Sequence, residues 1–209
     1  MTTGARWLTD RPAERFDLDG VTLRRSRADD VDELVAAVNQ SLDHLRPWMP
    51  WAQQPATPQS IGAFLWQADV TWRDGREFHF AVRDQRGSES DALIGFCGLH
   101  DRVGVGALEI GYWVRADCTG RGVATTAAAA LTRSALALGG VTRVEIRCDE
   151  ANVRSAAIPA KLGFRLDRVV VRSPEAPGET DRQLVWMMDS DGVNDPAGGT
   201  RHQPAGRAR

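Results

Sequence analysis

Cysteine, lysine and long apolar runs are scarce in this chain of 209 residues. The three cysteines, Cys97, Cys118 and Cys148, are far apart and odd in number, and no CxxC pair occurs. Neither a zinc knuckle nor a disulfide framework is built that way. All three are expected to be packing thiols, and no metal site is expected. No stretch approaches the roughly 20 apolar residues that cross a bilayer. Residues 1–19 hold no apolar signal-peptide core, so the expected location is the cytoplasm. Positive charge is not in excess either. The net charge is −2, which argues against a nucleic-acid binder working through a basic patch. No GxxxxGK[ST] occurs, so ATP use through a P-loop has no support.

Hydrophobic residues make up 42% and charged residues 26%, the balance of a globular protein. Lys161 is the only lysine, which leaves arginine 25 of the 26 basic residues. That skew, with abundant alanine and glycine, resembles the codon usage of a GC-rich bacterial genome. The length suits one domain of roughly 150–200 residues with loose ends. Residues 1–19 read as a flexible arm and 20–189 as the domain. Residues 190–209, rich in Gly, Pro and Arg, read as a disordered tail.

Alternating apolar residues predict strands at Val21–Arg24, Phe78–Val82, Ala92–Leu99, Leu108–Val114, Arg143–Cys148, Phe164–Val171 and Gln183–Met188. A helix starting at Asp29-Asp30 carries Val31, Leu34, Val35 and Val38 on one face. A second, signalled by Thr57-Pro58, carries Ile61, Phe64, Leu65, Ala68 and Trp72, with Trp66 and Trp72 expected in the core. A third runs from about Gly120 to Gly139-Gly140. A fourth covers Asn152–Leu162, where Pro159 should kink or interrupt it. Between them, Ser41–Trp51 reads as a proline-broken loop, and Ser88–Asp91 as a turn cluster. The fold class is α+β: a mixed, mostly antiparallel sheet of about seven strands flanked by about four helices. The strand–helix–strand unit at 108–148 suggests one parallel pairing.

One stretch says more than the rest. Ile110-Gly111-Tyr112-Trp113-Val114 runs into Cys118-Thr119-Gly120-Arg121-Gly122-Val123-Ala124-Thr125, and a long alanine-rich helix follows. A glycine-rich turn at a helix start offers unpaired N–H groups and the positive end of the helix dipole. A phosphate is its natural guest. Just upstream, Glu109 lies between Leu108 and Ile110 in an apolar strand. Burying a carboxylate there is costly unless it has a partner or a task. It is read as a general base, as a solvated strand-end charge or as an ion pair with an arginine, with His79 and His100 as rival bases.

These residues resemble the GCN5-related N-acetyltransferase (GNAT) superfamily, and within it the branch of Rim-type ribosomal-protein acetyltransferases. Three segments carry the likeness across about residues 20–189. The strand and loop of 110–125 resemble the family's acyl-CoA pyrophosphate loop. Asn152-Val153-Arg154-Ser155 through Lys161-Leu162-Gly163-Phe164 resembles the helix and strand that close on the pantetheine arm. Leu45-Arg46-Pro47-Trp48-Met49-Pro50-Trp51 resembles the Rim-type acceptor-side loop. There are departures. Thr119 stands where the family usually has Gln or Arg, and Thr126 where many Rim-type proteins have Glu. Pro159 stands where many members carry a tyrosine acid, seven residues after the asparagine.

The resemblance implies an acetyl-CoA-dependent N-acetyltransferase that acts by direct attack in a ternary complex. Acetyl-CoA, the cosubstrate, would contact Trp113, Val114, Gly120, Arg121, Gly122, Val123, Ala124, Thr125, Asn152 and Ser155. Side chains of Arg121 and Thr125 could add to the backbone amides. Ser155 resembles the serine facing the cofactor sulfur and joins Glu109 as a catalytic candidate. Its rival role, like that of Asn152, is helix capping. His44, Trp48 and Trp51 are expected at the acceptor. A protein N-terminal α-amine is the favoured acceptor, because deprotonating it at pH 7 costs ~1 kcal/mol against ~4–5 kcal/mol for lysine. A small-molecule amine, a lysine, a succinyl-CoA donor and a non-catalytic acyl-CoA-binding module remain open. So does the choice between monomer and homodimer; direct nucleic-acid or membrane partners are not expected.

Overall fold

The computed structural model describes residues 8, 10–86 and 91–190. The turn expected at Ser88–Ser90 and the tail from residue 191 lie outside these. Eight strands form one sheet: β1 (Arg15–Leu18), β2 (Val21–Arg25), β3 (Glu77–Asp84), β4 (Leu93–His100), β5 (Ala107–Val114), β6 (Arg143–Asp149), β7 (Arg165–Val171) and β8 (Arg182–Asp189). Their spatial order is β1-β2-β3-β4-β5-β6-β8-β7. All neighbours are antiparallel except β5 and β6, the parallel pair expected around 108–148. The helices are α1 (Val31–Gln40), α2 (Leu42–Leu45), α3 (Pro58–Arg73), α4 (Val123–Leu136) and α5 (Val153–Lys161).

Two differences from the sequence reading concern the ends and the loop. Arg15–Leu18 belongs to the sheet, paired with Val21–Arg24 around the Gly20 turn, and Leu8 packs in the core. The supposed arm therefore contributes structure. The Ser41–Trp51 segment also holds the one-turn helix α2, and a 3-10 turn follows at Pro50–Ala52.

Local chemistry explains the helix starts. The Thr57 hydroxyl accepts from the Ser60 amide at 3.1 Å, and Pro58 occupies the first helical position, where its missing N–H costs nothing. The Asn152 side chain accepts from the Ser155 amide at 3.2 Å. Alternation in β3 sends Phe78, Phe80 and Val82 to a core shared with α4. Ala81 faces a second core built from α1 and α3. Small residues Ala127, Ala128 and Ala135 let α4 lie close on the sheet. Trp72 is buried as expected. Trp66 is exposed (67%), because it falls about 100° round α3 from the buried Leu65.

Candidate active site

The pairing of β5 with β6 stops at Ile110 and Ile146, although the strands continue to Val114 and Asp149. Beyond that point the sheet opens, and α5 meets β5 there. The Tyr112 hydroxyl, 3.3 Å from the Ser155 carbonyl oxygen, donates to it and stands 3.3 Å from the Ser155 hydroxyl. Pro159 explains the first contact. It has no N–H to give the carbonyl four residues back, so Ser155 keeps a free acceptor inside α5. Burial raises the Tyr112 pKa, so its phenol stays protonated and can donate.

A cavity of about 740 Å³ fills the opening. Trp48, Trp51, Phe64 and Trp113 supply apolar surface to it, and Tyr112, Asn152 and Ser155 supply polar groups. Gly178 helps hold its rim. Its amide donates to the Pro47 carbonyl at 2.9 Å, tying the β7–β8 loop to the tryptophan loop.

A polar row crosses one face of the sheet. Glu77 pairs in register with His100, His100 with Glu109, and Glu109 with Glu145. The Glu77 carboxylate meets His79 Nε2 at 3.2 Å and His100 Nδ1 at 3.3 Å. Hydrogen bonds from His100 and then His79 hold the Glu77 pKa well below the usual carboxylate range. Burial pulls the His100 pKa down, so that imidazole is neutral near pH 7. With Glu77 ionised, Nδ1–H of His100 must donate to it, and Nε2 keeps its lone pair. That lone pair has room because Gly98 and Gly111 lie beneath the ring. A Cβ on either would stand 3.2 Å from Nε2.

Glu109, the expected base, sits in an ion pair. Glu109 is buried, and Arg102 grips both of its oxygens, Nε to Oε2 at 3.0 Å and Nη2 to Oε1 at 2.5 Å. Arg147 Nε stands 3.7 Å from Oε2. The ion-pair alternative describes its surroundings, with one lone pair on each oxygen engaged by Arg102.

At the phosphate candidate, Gly120 and Gly122 adopt φ of +75° and +80°, with open space where a Cβ would stand. The first helical bond of α4 runs from the Thr126 amide to the Gly122 carbonyl. The amides of Val123, Ala124 and Thr125 therefore have no acceptor within the helix. The cradle suits a diphosphate. The Arg121 side chain does not point its charge there. Its guanidinium bonds Asp84 at 2.6 Å and the Cys118 sulfur at 3.4 Å. Asn152 acts as the helix cap noted above. Val114 is buried opposite Gly95 in β4 and lies outside the cavity lining. His44, on α2, also lies outside it. Burial and then the Arg154 charge lower its pKa. Trp48 and Trp51 do line the cavity, with the Trp51 ring tilted on Trp113 at 6.2 Å.

Sequence reasoning missed the Tyr112 hydroxyl and the Glu77 partnership. The signal for the first was available: a proline at 159 frees a carbonyl, and the chain has a single tyrosine. The second required the β3–β4 register, which no local pattern encodes.

A family model described as "Acetyltransferase (GNAT) domain" matches residues 21–165. YdaF of Bacillus subtilis (strain 168), whose name assigns it provisionally to ribosomal N-acetylation, is 28% identical over 149 residues, 69% of this chain and 77% of its own. The fold resembles that of RimL, a ribosomal L7/L12 alpha-N-protein acetyltransferase in complex with coenzyme A. The TM-score is 0.75 at 18% identity, over 86% of this chain and 99% of that one. Mycobacterium smegmatis RimJ in complex with CoA-disulfide gives 0.73 at 24% identity, over 90% of each chain. The microcin C7 self-immunity acetyltransferase MccE, in complex with acetyl-CoA and AMP, gives 0.74 at 20% identity, over 82% of this chain and 93% of that one.

Proposed function

Because this chain belongs to the GNAT family and is an acetyl-CoA-dependent N-acetyltransferase, we propose that its acceptor is the α-amine of a protein N-terminus. The observation that carries this is His100, a neutral imidazole held by ionised Glu77 on the wall of an open cleft. Such a base suits an amine that loses its proton for ~1 kcal/mol at pH 7 and suits lysine, at ~4–5 kcal/mol, poorly. The names of YdaF and RimL point the same way.

When bound, acetyl-CoA supplies a thioester carbonyl open to amine attack. Its diphosphate is held by the amides of Val123, Ala124 and Thr125 beside Gly120 and Gly122. Trp48, Trp51 and Phe64 hold the acceptor's first side chains. His100 Nε2 takes the amine proton, and Glu77 stabilises the imidazolium that results. The Tyr112 hydroxyl turns its single proton from the Ser155 carbonyl oxygen to the leaving sulfur, with the Ser155 hydroxyl 3.3 Å away to hold the phenol in place. A covalent acyl-cysteine route finds no support. Cys97 and Cys148 are buried, and burial pushes the Cys148 thiol up to about 11. The domain in this reading spans Arg15 to Asp189 and works in the bacterial cytoplasm. No helix among the described residues is long and apolar enough to cross a membrane.

The test is thiol release from acetyl-CoA with a panel of peptides, N-terminally blocked peptides containing lysine, and small amines. Turnover with free peptide N-termini alone is expected. Turnover confined to lysine or to small amines overturns the acceptor assignment. Tight acetyl-CoA binding without turnover on any amine would favour the regulatory module.

A further inference from the structure

We infer that Glu77, His79 and His100 form a site for one divalent transition-metal ion of the zinc class, opening on the acceptor cleft. The binding claim stands on donor geometry. Only its consequence for turnover rests on the role given above to His100.

One donor atom from each residue lies within 4.8 Å of the other two. Ligands about 2.0–2.1 Å from a tetrahedral zinc are about 3.3–3.4 Å apart. Glu77 Oε2 stands 3.2 Å from His79 Nε2 and its other oxygen, Oε1, 3.3 Å from His100 Nδ1, so whichever oxygen ligates, one edge of the triangle has that length already. Each of the other two edges needs at most about 1.4 Å of closure, shared between the carboxylate and the two rings. The side chains come from rigid neighbours. Glu77 and His79 alternate onto one face of β3, and His100 stands opposite Glu77 on β4. All three line the cleft, which leaves a fourth coordination position facing open space. Two imidazoles and one carboxylate with an open fourth position are a recognised zinc ligand set.

The protons can accommodate the ion. An imidazole ligates through one ring nitrogen while the other carries the proton, and Glu77 is already a carboxylate. A bound ion thus replaces the two hydrogen bonds between Glu77 and the histidines. The rings of Phe64 and Phe96 pack at 5.3 and 6.0 Å from His79, an apolar surround that strengthens the charge interactions. With the ion bound, His100 Nε2 carries a proton and cannot accept one. Metal binding and acetyl transfer therefore compete.

The experiment uses the full chain, stripped with chelator and titrated with Co2+. An intense visible d–d band saturating at one ion per chain, and bleached by Zn2+, is expected. Glu77→Gln and His79→Gln should each weaken binding by more than the roughly 10–100-fold that loss of an outer-shell partner costs. Circular dichroism checks that both variants are folded. Zn2+ should also raise the melting temperature of the parent chain and not of the variants. A weak octahedral-type band, or an unchanged band in the folded Glu77→Gln protein, overturns the site. The two readings separate cleanly. A cobalt band alongside full turnover in His100→Gln keeps the metal site and removes the catalytic role. A missing band with an inactive His100→Gln does the reverse.

Discussion

The Tyr112 hydroxyl and the Ser155 carbonyl oxygen lie 3.3 Å apart across the opened sheet, and Pro159 leaves that carbonyl free. A proline that removes the family's usual tyrosine thus creates the acceptor that seats another one. Tyr112→Phe should lower kcat about 10–100-fold with little change in acetyl-CoA affinity. Pro159→Ala restores an N–H that competes for the same carbonyl. It should stabilise the protein by up to about 3 kcal/mol in urea titrations, while turnover falls. Unchanged turnover in both variants removes Tyr112 from the reaction.

His100 and Glu109 should separate in kinetics. His100→Gln should lower kcat about 10²–10⁴-fold and keep the fold. Glu109→Gln leaves Arg102 and Arg147 without their shared counter-charge. Because Arg102 is half exposed, the cost should be roughly 1–3 kcal/mol of stability. Its kcat in the folded fraction should stay within a few-fold of the parent. The reverse pattern would return the base role to Glu109.

Acid should weaken the protein in two stages. The folded His100 pKa lies below its unfolded value of about 6.5, so the unfolded chain binds more protons as pH falls through that region. Stability is therefore complete above pH ~6.5 and declines below it. Glu77 is depressed from about 4.3, so its contribution is present above that pH and is lost as pH falls further. Melting temperatures recorded from pH 8 to pH 3 should show both stages, with the upper one missing in His100→Gln. The acid limb of kcat should also lie below pH 6.5, since the depressed His100 must protonate to stop the reaction.

Crowding beneath the histidines should be felt at once. A Cβ at Gly98 would lie 3.1 Å from the Phe78 carbonyl oxygen and 3.2 Å from ring nitrogens of both His79 and His100. The Phe78 contact is backbone and cannot step aside. Gly98→Ala should cost about 1–3 kcal/mol and displace the rings, lowering kcat up to about 100-fold. Gly111→Ala touches only the His100 ring and should be milder. Equal activity in all three proteins would show that ring position is unimportant.

The turn before α4 can be tested separately from the chemistry. Gly122 sits at φ +80° with open space beside it. In Gly122→Val the Cβ meets no protein atom, but the substitution forces a β-branched residue into the left-handed region and fills the approach to the helix amides. Acetyl-CoA affinity should fall at least about 10-fold, read by calorimetry, while kcat at saturation changes less. Normal affinity would move the diphosphate elsewhere.

What the sequence by itself determined was the run of elements and the phosphate-type turn. Those signals are local: alternation in Phe78, Phe80 and Val82, the Thr57-Pro58 start, and the glycines at 120 and 122 act within a few residues of where they are read. The N-terminal strand, Arg15-Phe16-Asp17-Leu18, alternates too, but it is an edge strand with no fully buried residue inside a charged and polar stretch, so it passed for part of the arm. Tertiary structure alone decided which buried polar groups meet. Glu109 faces Arg102 and Arg147, while Glu77 collects two histidines, one of them from the neighbouring strand. Cross-strand register sets those pairs, and a slip of one residue would turn each side chain to the opposite face. A lone carboxylate in an apolar strand reads the same with or without an arginine beside it, so its partners become visible only in space.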